Sequence, residues 1–134
     1  MSFGGGMFEG ALAGAQQATQ DWNGLTQAAG EGKLLLEPGV ADQCAKHCED
    51  MIDKLDGHRA DVGSLMWGVN MGVCQIGEQL SGKFSNKGVT DPKNSVVAVI
   101  NEHQMVLKQM AAAYRAAGKA FASQEHDNTA AVRG

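Results

Sequence analysis

The sequence lacks the features on which membrane-spanning and nucleic-acid-binding proteins depend. It contains no apolar run of about 18 residues or more, the length that a bilayer-spanning helix needs. Its formal net charge of −4 disfavours a surface for nucleic acid or for an anionic membrane. The N-terminal residues also lack the basic region and apolar core of a secretory signal peptide. We therefore expect no transmembrane segment, no nucleic-acid partner and no cleavable signal.

Catalytic fingerprints are missing as well. No Gly-x-Ser-x-Gly elbow, no phosphate-binding glycine loop and no acid–base pair at a recognisable spacing occurs. The chain has 3 cysteines, an odd number that does not make a closed disulfide framework. We expect no enzymatic activity, no cofactor and no metal.

Large side chains for a hydrophobic core are scarce. Aromatic residues make up 5% of the 134 residues and hydrophobic residues 43%, whereas there are 18 glycines. A small fold with so little apolar surface to bury commonly gains stability by associating with another chain. The composition therefore indicates a thin core that a partner completes.

Two stretches carry a helical pattern, in which apolar or small residues recur at alternating spacings of three and four. We call the row within residues 38–66 the first seam: Ala41, Cys44, Cys48, Met51, Leu55, Val62 and Leu65, with His58 in a further slot. The second seam lies within residues 92–121: Val96, Ile100, His103, Leu107, Met110, Tyr114, Ala117 and Phe121. Such a row lies along one side of an α-helix. The start signals Glu37-Pro38 and Asp91-Pro92 precede the two rows. The pattern predicts an all-α fold, an antiparallel hairpin of two long helices.

Composition shifts divide the chain into three parts. They are a glycine/alanine-rich N-terminal helical arm and link (1–36), the helical hairpin domain (37–122) and a flexible C-terminal tail (123–134). In the arm a weaker helical pattern predicts a helix from about Met7 to Ala29, with Trp22 as its main anchor; a partly disordered arm is the alternative. In the hairpin, a short elbow helix is predicted near residues 75–87, stopped by Gly88. The second long helix is predicted to end near Ala122.

Two histidines interrupt the apolar seams. If Leu65 lies level with Val96, an antiparallel register places His58 level with His103 in a thin core. The favoured interpretation is hydrogen bonding of each imidazole to a neighbouring side chain. A pH switch and a metal site stay open, because protonated imidazoles repel each other and neutral ones bind metals. Further ligands for a metal would be Cys44, Cys48 and Cys74, although Cys44 and Cys48 are favoured as plain packing residues.

Three stretches carry a resemblance to a known family. They are residues 32–44 (Gly-Lys-Leu-Leu-Leu-Glu-Pro-Gly-Val-Ala-Asp-Gln-Cys), residues 103–114 and residues 115–121 (Arg-Ala-Ala-Gly-Lys-Ala-Phe). Together with the hairpin pattern and the acidic charge, they make the chain similar to the Trp-x-Gly (early secreted antigen-like) helical-hairpin superfamily of type VII secretion substrates, actinobacterial type. The resemblance covers residues 32–122. It implies a protein that is cytoplasmic before export and then secreted or held at the cell surface.

The family's two motifs have partial counterparts here. In the family a Trp-x-Gly turn joins the helices, and an aromatic residue with an acid four positions later marks the end of the second helix for export. The literal Trp22-Asn23-Gly24 lies upstream of the hairpin, and the bend carries Trp67-Gly68. Phe121 and Glu125 have the spacing of the export motif, and residues so spaced share a helix face. Tyr114 is a further export-motif candidate.

The sequence thus predicts a non-enzymatic protein–protein interaction module. It would pair through its seams with another helical-hairpin protein, as a homodimer or heterodimer in a helix bundle, and would be read by secretion machinery. The alternatives are a cytoplasmic helical scaffold or assembly subunit without export and a small metal-binding helical protein. The candidate partner-binding residues are Trp22, Met51, Leu55, Val62, Leu65, Trp67, Ile100, Leu107, Met110, Tyr114 and Phe121.

Overall fold

Helices make up most of the part of the chain that the structure describes. A computed structural model describes residues 8–67, 75–91 and 95–133. Within these ranges the helices are α1 (Glu9–Gly30), α2 (Pro38–Trp67), α3 (Gln75–Ser85) and α4 (Val96–Arg133), with a π-helical turn at Asn86–Thr90. No strand occurs among these residues. The prediction of an all-α fold is confirmed, and helices are present in the stretches predicted for the arm and the elbow. The predicted stop of the elbow helix at Gly88 is wrong, because α3 ends at Ser85 and Gly88 lies inside the π-helical turn.

The passage from α1 to α2 follows the local sequence. Gly32 takes the left-handed conformation with φ of 77°, which glycine adopts without a steric penalty. Beyond it, the Lys33 N–H reaches back to the Ala28 carbonyl at 2.8 Å, as in a Schellman helix end. The chain then enters α2 through Glu37, whose carboxylate accepts the N–H groups of Gly39 and Val40, each at 3.0 Å. The predicted start at Glu37-Pro38 is confirmed.

The start of α4 differs from the prediction. The helix begins at Val96 rather than at Pro92, and its cap is the hydroxyl of Ser95, which accepts the Ala98 N–H at 3.1 Å. Ser95 is fully buried. The predicted cap, Asp91, instead closes the π-helical turn, because its N–H donates to the Asn86 carbonyl at 3.0 Å. The Asp91-Pro92 pair therefore predicted the region in which α4 begins but not the residue that caps it.

The end of α4 is also corrected. The helix does not stop near Ala122 but continues to Arg133. Residues 122–132 are exposed at every position. Their helical conformation is therefore supported by backbone hydrogen bonds rather than by packing, and isolated helices of this length are marginal in water.

The chain forms two compact units. The first unit comprises Met1–Gln16 and Asp53–Gln104, and the second unit comprises Gln17–Ile52 and Met105–Gly134. The three long helices each contribute residues to both units. None of the helices in the described ranges is long and apolar enough to cross a membrane.

Candidate functional site

Small residues form the interior of the second unit. Its core cluster consists of Ala45, Cys48 and Ala111, which are 0%, 3% and 5% exposed. The larger side chains packed against this cluster are only partly buried: Leu107, Met110 and Tyr114. The larger seam residues of this unit therefore keep part of their surface accessible, while the interior is filled by small side chains that bury little area.

The close approach of α2 and α4 in this unit depends on two small residues, Ala41 and Gly118. A Cβ atom placed on Gly118 would lie 2.7 Å from the Cβ of Ala41 and 3.6 Å from the Cα of Pro38. Nearby, the Leu36 N–H donates to the Ala117 carbonyl at 3.2 Å, which ties the link before α2 to α4. Only glycine fits at position 118 without displacing its neighbours.

An aromatic pair joins α1 to α4 in the second unit. The ring centroids of Trp22 and Tyr114 lie 5.5 Å apart, with an interplanar angle of 55°. This tilted geometry is favourable for aromatic side chains. Burial raises the pKa of the Tyr114 hydroxyl, and the nearby Cys44 and Cys48 raise it further. The contact agrees with the predicted anchoring role of Trp22.

A groove beside Tyr114 brings the two helical cysteines to one surface. Its volume is about 250 Å³, and its lining residues are Gln43, Cys44, His47, Cys48, Met110 and Tyr114. Both cysteines are free thiols; Cys44 is partly exposed and Cys48 is buried. The pKa of the Cys48 thiol is raised, first by burial and then by the charges of Cys44 and Glu49. Burial of the Cys48 thiol thus disfavours its ionised form.

The first unit contains a polar network beside its buried apolar residues. The guanidinium of Arg59 donates to the side-chain oxygens of Asn101 at 2.8 Å and Gln104 at 2.5 Å. It also forms an ion pair with Asp56, which accepts the Gln104 side-chain amide at 2.7 Å. Gln104 is only 8% exposed. The network connects α2 with α4 through side chains of complementary charge and hydrogen-bonding capacity.

The structure corrects the expected placement of the histidines. His58 and His103 are both exposed, so the prediction that they face each other in a thin core is wrong. Of their chain neighbours, Gln104 is buried and Arg59 is partly buried. A signal for this existed, since Arg59 lies four residues after Leu55 and Gln104 lies four residues after Ile100. The three-and-four spacing fits the pair His58 and His103 as well as the pair Arg59 and Gln104. In the structure it is Arg59 and Gln104 that form a hydrogen bond with each other.

The remaining seam residues differ widely in exposure. Met51, Leu55, Val62 and Phe121 are partly buried, Ile100 is buried at 8% and Leu65 is 69% exposed. Glu125 is exposed one turn beyond Phe121 on α4. The side chain of Trp67 and the whole of Cys74 lie outside the described residues. Ile100 thus contributes to the interior of its unit, whereas Leu65 presents most of its side chain to solvent.

The described residues contain no group of three or more His, Cys, Asp and Glu side chains placed to hold a metal ion. What the second unit does offer is a partly exposed apolar and aromatic surface on a small-residue core. No protein-family model matches this chain, and neither the curated proteins nor the solved structures compared with it provide a match. The geometry of the chain itself is therefore the basis for assigning a function.

Proposed function

We propose that this chain is a non-enzymatic protein–protein interaction module of the helical-hairpin type. In this proposal α2 and α4 pair antiparallel, and their seams associate with a second hairpin, as a homodimer or heterodimer, to form a helix bundle. The burial pattern of the second unit carries the proposal. There the core is built from Ala45, Cys48 and Ala111, while Leu107, Met110 and Tyr114 keep part of their surface in water.

The energetics of burial favour a partner at this surface. Each large apolar side chain contributes roughly 1.5–3 kcal/mol when it becomes fully buried, far more than an alanine methyl group. A surface whose alanines are buried and whose larger side chains are only partly buried therefore has part of this stabilisation still to gain. Association of two such surfaces would supply it.

Contacts within each unit support the antiparallel pairing. In the second unit, Ala41 near the start of α2 lies against Gly118, and Glu49 further along α2 pairs with Arg115. In the first unit, Asp56 binds Gln104. Positions that advance along α2 thus meet positions that recede along α4, as a hairpin requires.

The class of protein follows from the resemblance to type VII secretion substrates. On that basis the chain is exported, and α4 carries the export motif. Tyr114 is engaged by Trp22, whereas Phe121 and Glu125 lie one helical turn apart where α4 becomes exposed. We therefore assign the export motif to Phe121 and Glu125. A cytoplasmic scaffold without export is the alternative.

Light scattering coupled to size exclusion, across a dilution series, tests the pairing. We expect the purified protein to be a dimer and the Met110→Glu variant to be a monomer, because the new charge would be buried in the interface. Ala112→Glu is the matched control: it adds the same charge to an exposed position of α4, on the far side of the helix. Circular dichroism verifies that both variants stay helical.

Two results would contradict the pairing. One is a wild-type monomer at all concentrations that also fails to bind co-expressed helical-hairpin proteins. The other is a Met110→Glu variant with the mass of the wild type. The export motif is tested separately, by secretion of a Phe121→Ala/Glu125→Ala variant from the native host. Loss of secretion with a retained helical fold supports the assignment, and unchanged secretion refutes it.

A further inference from the structure

We propose that Cys44 and Cys48 form a two-thiolate site for a soft monovalent cation, Cu(I), at the groove of the second unit. All of its ligands come from one chain, and Met110 and Tyr114 of the groove also belong to the surface proposed to pair. The two cysteines are four residues apart in α2, so their Cβ atoms lie about 5–6 Å apart on one side of the helix. Both face the same groove of about 250 Å³.

Ligand chemistry selects the ion. Thiolate and thioether sulfurs are the ligands that Cu(I) prefers, and the groove also contains the thioether of Met110. Zinc sites are normally closed by four ligands, and no such set occurs in the described part of the chain. The groove therefore fits a cation that binds two thiolates, with the thioether of Met110 as a third and weaker ligand.

Burial of the two thiols indicates how the ion enters. Cys48 is 3% exposed, whereas Cys44 is partly exposed and lies at the open side. Both thiols are free, and a thiol binds a metal as the thiolate: Cu⁺ reacts with two R–SH groups to give [Cu(SR)₂]⁻ and two H⁺. Two S–H bonds break and two Cu–S bonds form, and copper remains Cu(I) throughout.

Competition with a chromogenic Cu(I) chelator tests the site. The full chain, fully reduced and under nitrogen, is titrated into Cu(I)–bicinchoninate, and native mass spectrometry counts the bound copper. We expect one Cu(I) per chain. Cys44→Ser should weaken binding at least tenfold, and because Cys44 is partly exposed this variant should retain its helical fold. Met110→Leu should weaken it by a smaller factor.

The third cysteine provides the matched control. Cys74→Ser removes one thiol elsewhere in the sequence, and this variant should bind Cu(I) as the wild type does. Zn(II), offered in the same way, should not be retained. The proposal is overturned if the wild type removes no Cu(I) from the chelator. It is equally overturned if Cys74→Ser weakens binding as much as Cys44→Ser, or if Cys44→Ser has no effect.

Discussion

The same two helices are held together in different ways in the two units. In the second unit α2 and α4 approach through Ala41 and Gly118, with no space for another methyl group. In the first unit they are connected by the long side chains of Arg59 and Gln104, which form a hydrogen bond with each other.

Small residues allow backbones to come close and gain dispersion energy. Polar side chains need more room, but their hydrogen bonds are satisfied in one register only. We infer that close packing supplies stability in the second unit and that the network specifies register in the first.

Glycine substitutions should give the largest difference between the units. Gly118→Ala introduces a Cβ that lies 2.7 Å from the Cβ of Ala41, so α2 and α4 must move apart. We expect the free energy of unfolding to fall by about 1–3 kcal/mol, the usual range for overpacking. Urea unfolding followed by circular dichroism measures it.

The control for this prediction is Gly57→Ala, in the part of α2 that belongs to the first unit. An added Cβ there meets no atom within 4 Å. Because alanine favours a helix more than glycine does, we expect stabilisation of up to ~1 kcal/mol. Equal effects of the two substitutions would mean that α2 and α4 do not approach closely at Gly118.

The polar network gives the next largest expected effect. Arg59→Ala leaves the buried amide of Gln104 without one of its partners, and we expect a loss of about 1–3 kcal/mol in the free energy of unfolding. The double variant Arg59→Met/Gln104→Leu should be nearly as stable as the wild type, since the partners left behind, Asp56 and Asn101, are exposed and can bond to water. A double variant with additive losses would show that the two side chains act independently.

An ion pair in the second unit serves as the comparison for that network. Arg115 pairs with Glu49, and their side chains are 48% and 49% exposed. Arg115→Ala should change the free energy of unfolding by less than ~1 kcal/mol, with an effect that shrinks in high salt. A loss as large as that of Arg59→Ala would show that this ion pair also stabilises the second unit substantially.

The aromatic contact of the second unit should have a moderate effect. A double-mutant cycle with Trp22→Leu and Tyr114→Leu isolates the ring–ring interaction, whose centroid distance is 5.5 Å. We expect a coupling energy of about 0.5–1.5 kcal/mol from thermal or urea unfolding. A coupling energy of zero would show that the contact between Trp22 and Tyr114 does not help to hold α1 on α4.

The helix caps give the smallest effect, and a pH dependence distinguishes them. Two backbone N–H groups, from Gly39 and Val40, hold the pKa of Glu37 below its usual range. The ionised carboxylate therefore stabilises the fold above the unfolded-state pKa of about 4.3, and this contribution is lost as the pH falls through the lower folded-state pKa. Glu37→Gln should reduce the midpoint of urea unfolding slightly at pH 7 and not at pH 2.

The corresponding cap in the first unit does not titrate. Ser95 caps α4 with a buried hydroxyl. Ser95→Ala should therefore lower the midpoint of urea unfolding by the same amount at both pH values. A pH-dependent effect of Ser95→Ala, or a pH-independent effect of Glu37→Gln, would contradict this difference between the two caps.

Local signals in the sequence were enough to predict most helices. The spacing of small and apolar residues located α1, α2 and α3, and Glu37-Pro38 placed the first residue of α2 correctly because capping depends only on neighbouring atoms. The same reasoning misplaced the start of α4, where Ser95 and not Asp91 is the cap. Asp91 and Ser95 are both residue types that cap helices, and they lie only four positions apart. In the structure the buried Ser95 is the one that caps α4.

Side-chain placement across the helices required the tertiary structure. The sequence by itself determined the all-α character, the long helices and the scarcity of large core residues, since these follow from composition and periodicity. It did not decide between His58 and Arg59, or between His103 and Gln104, because neighbouring residues on a helix both fit a three-and-four repeat. Only the tertiary structure made that choice, by bringing Asp56, Arg59 and Gln104 within hydrogen-bonding distance. It likewise revealed that position 118 must be glycine, because that requirement depends on the contact with Ala41 on another helix.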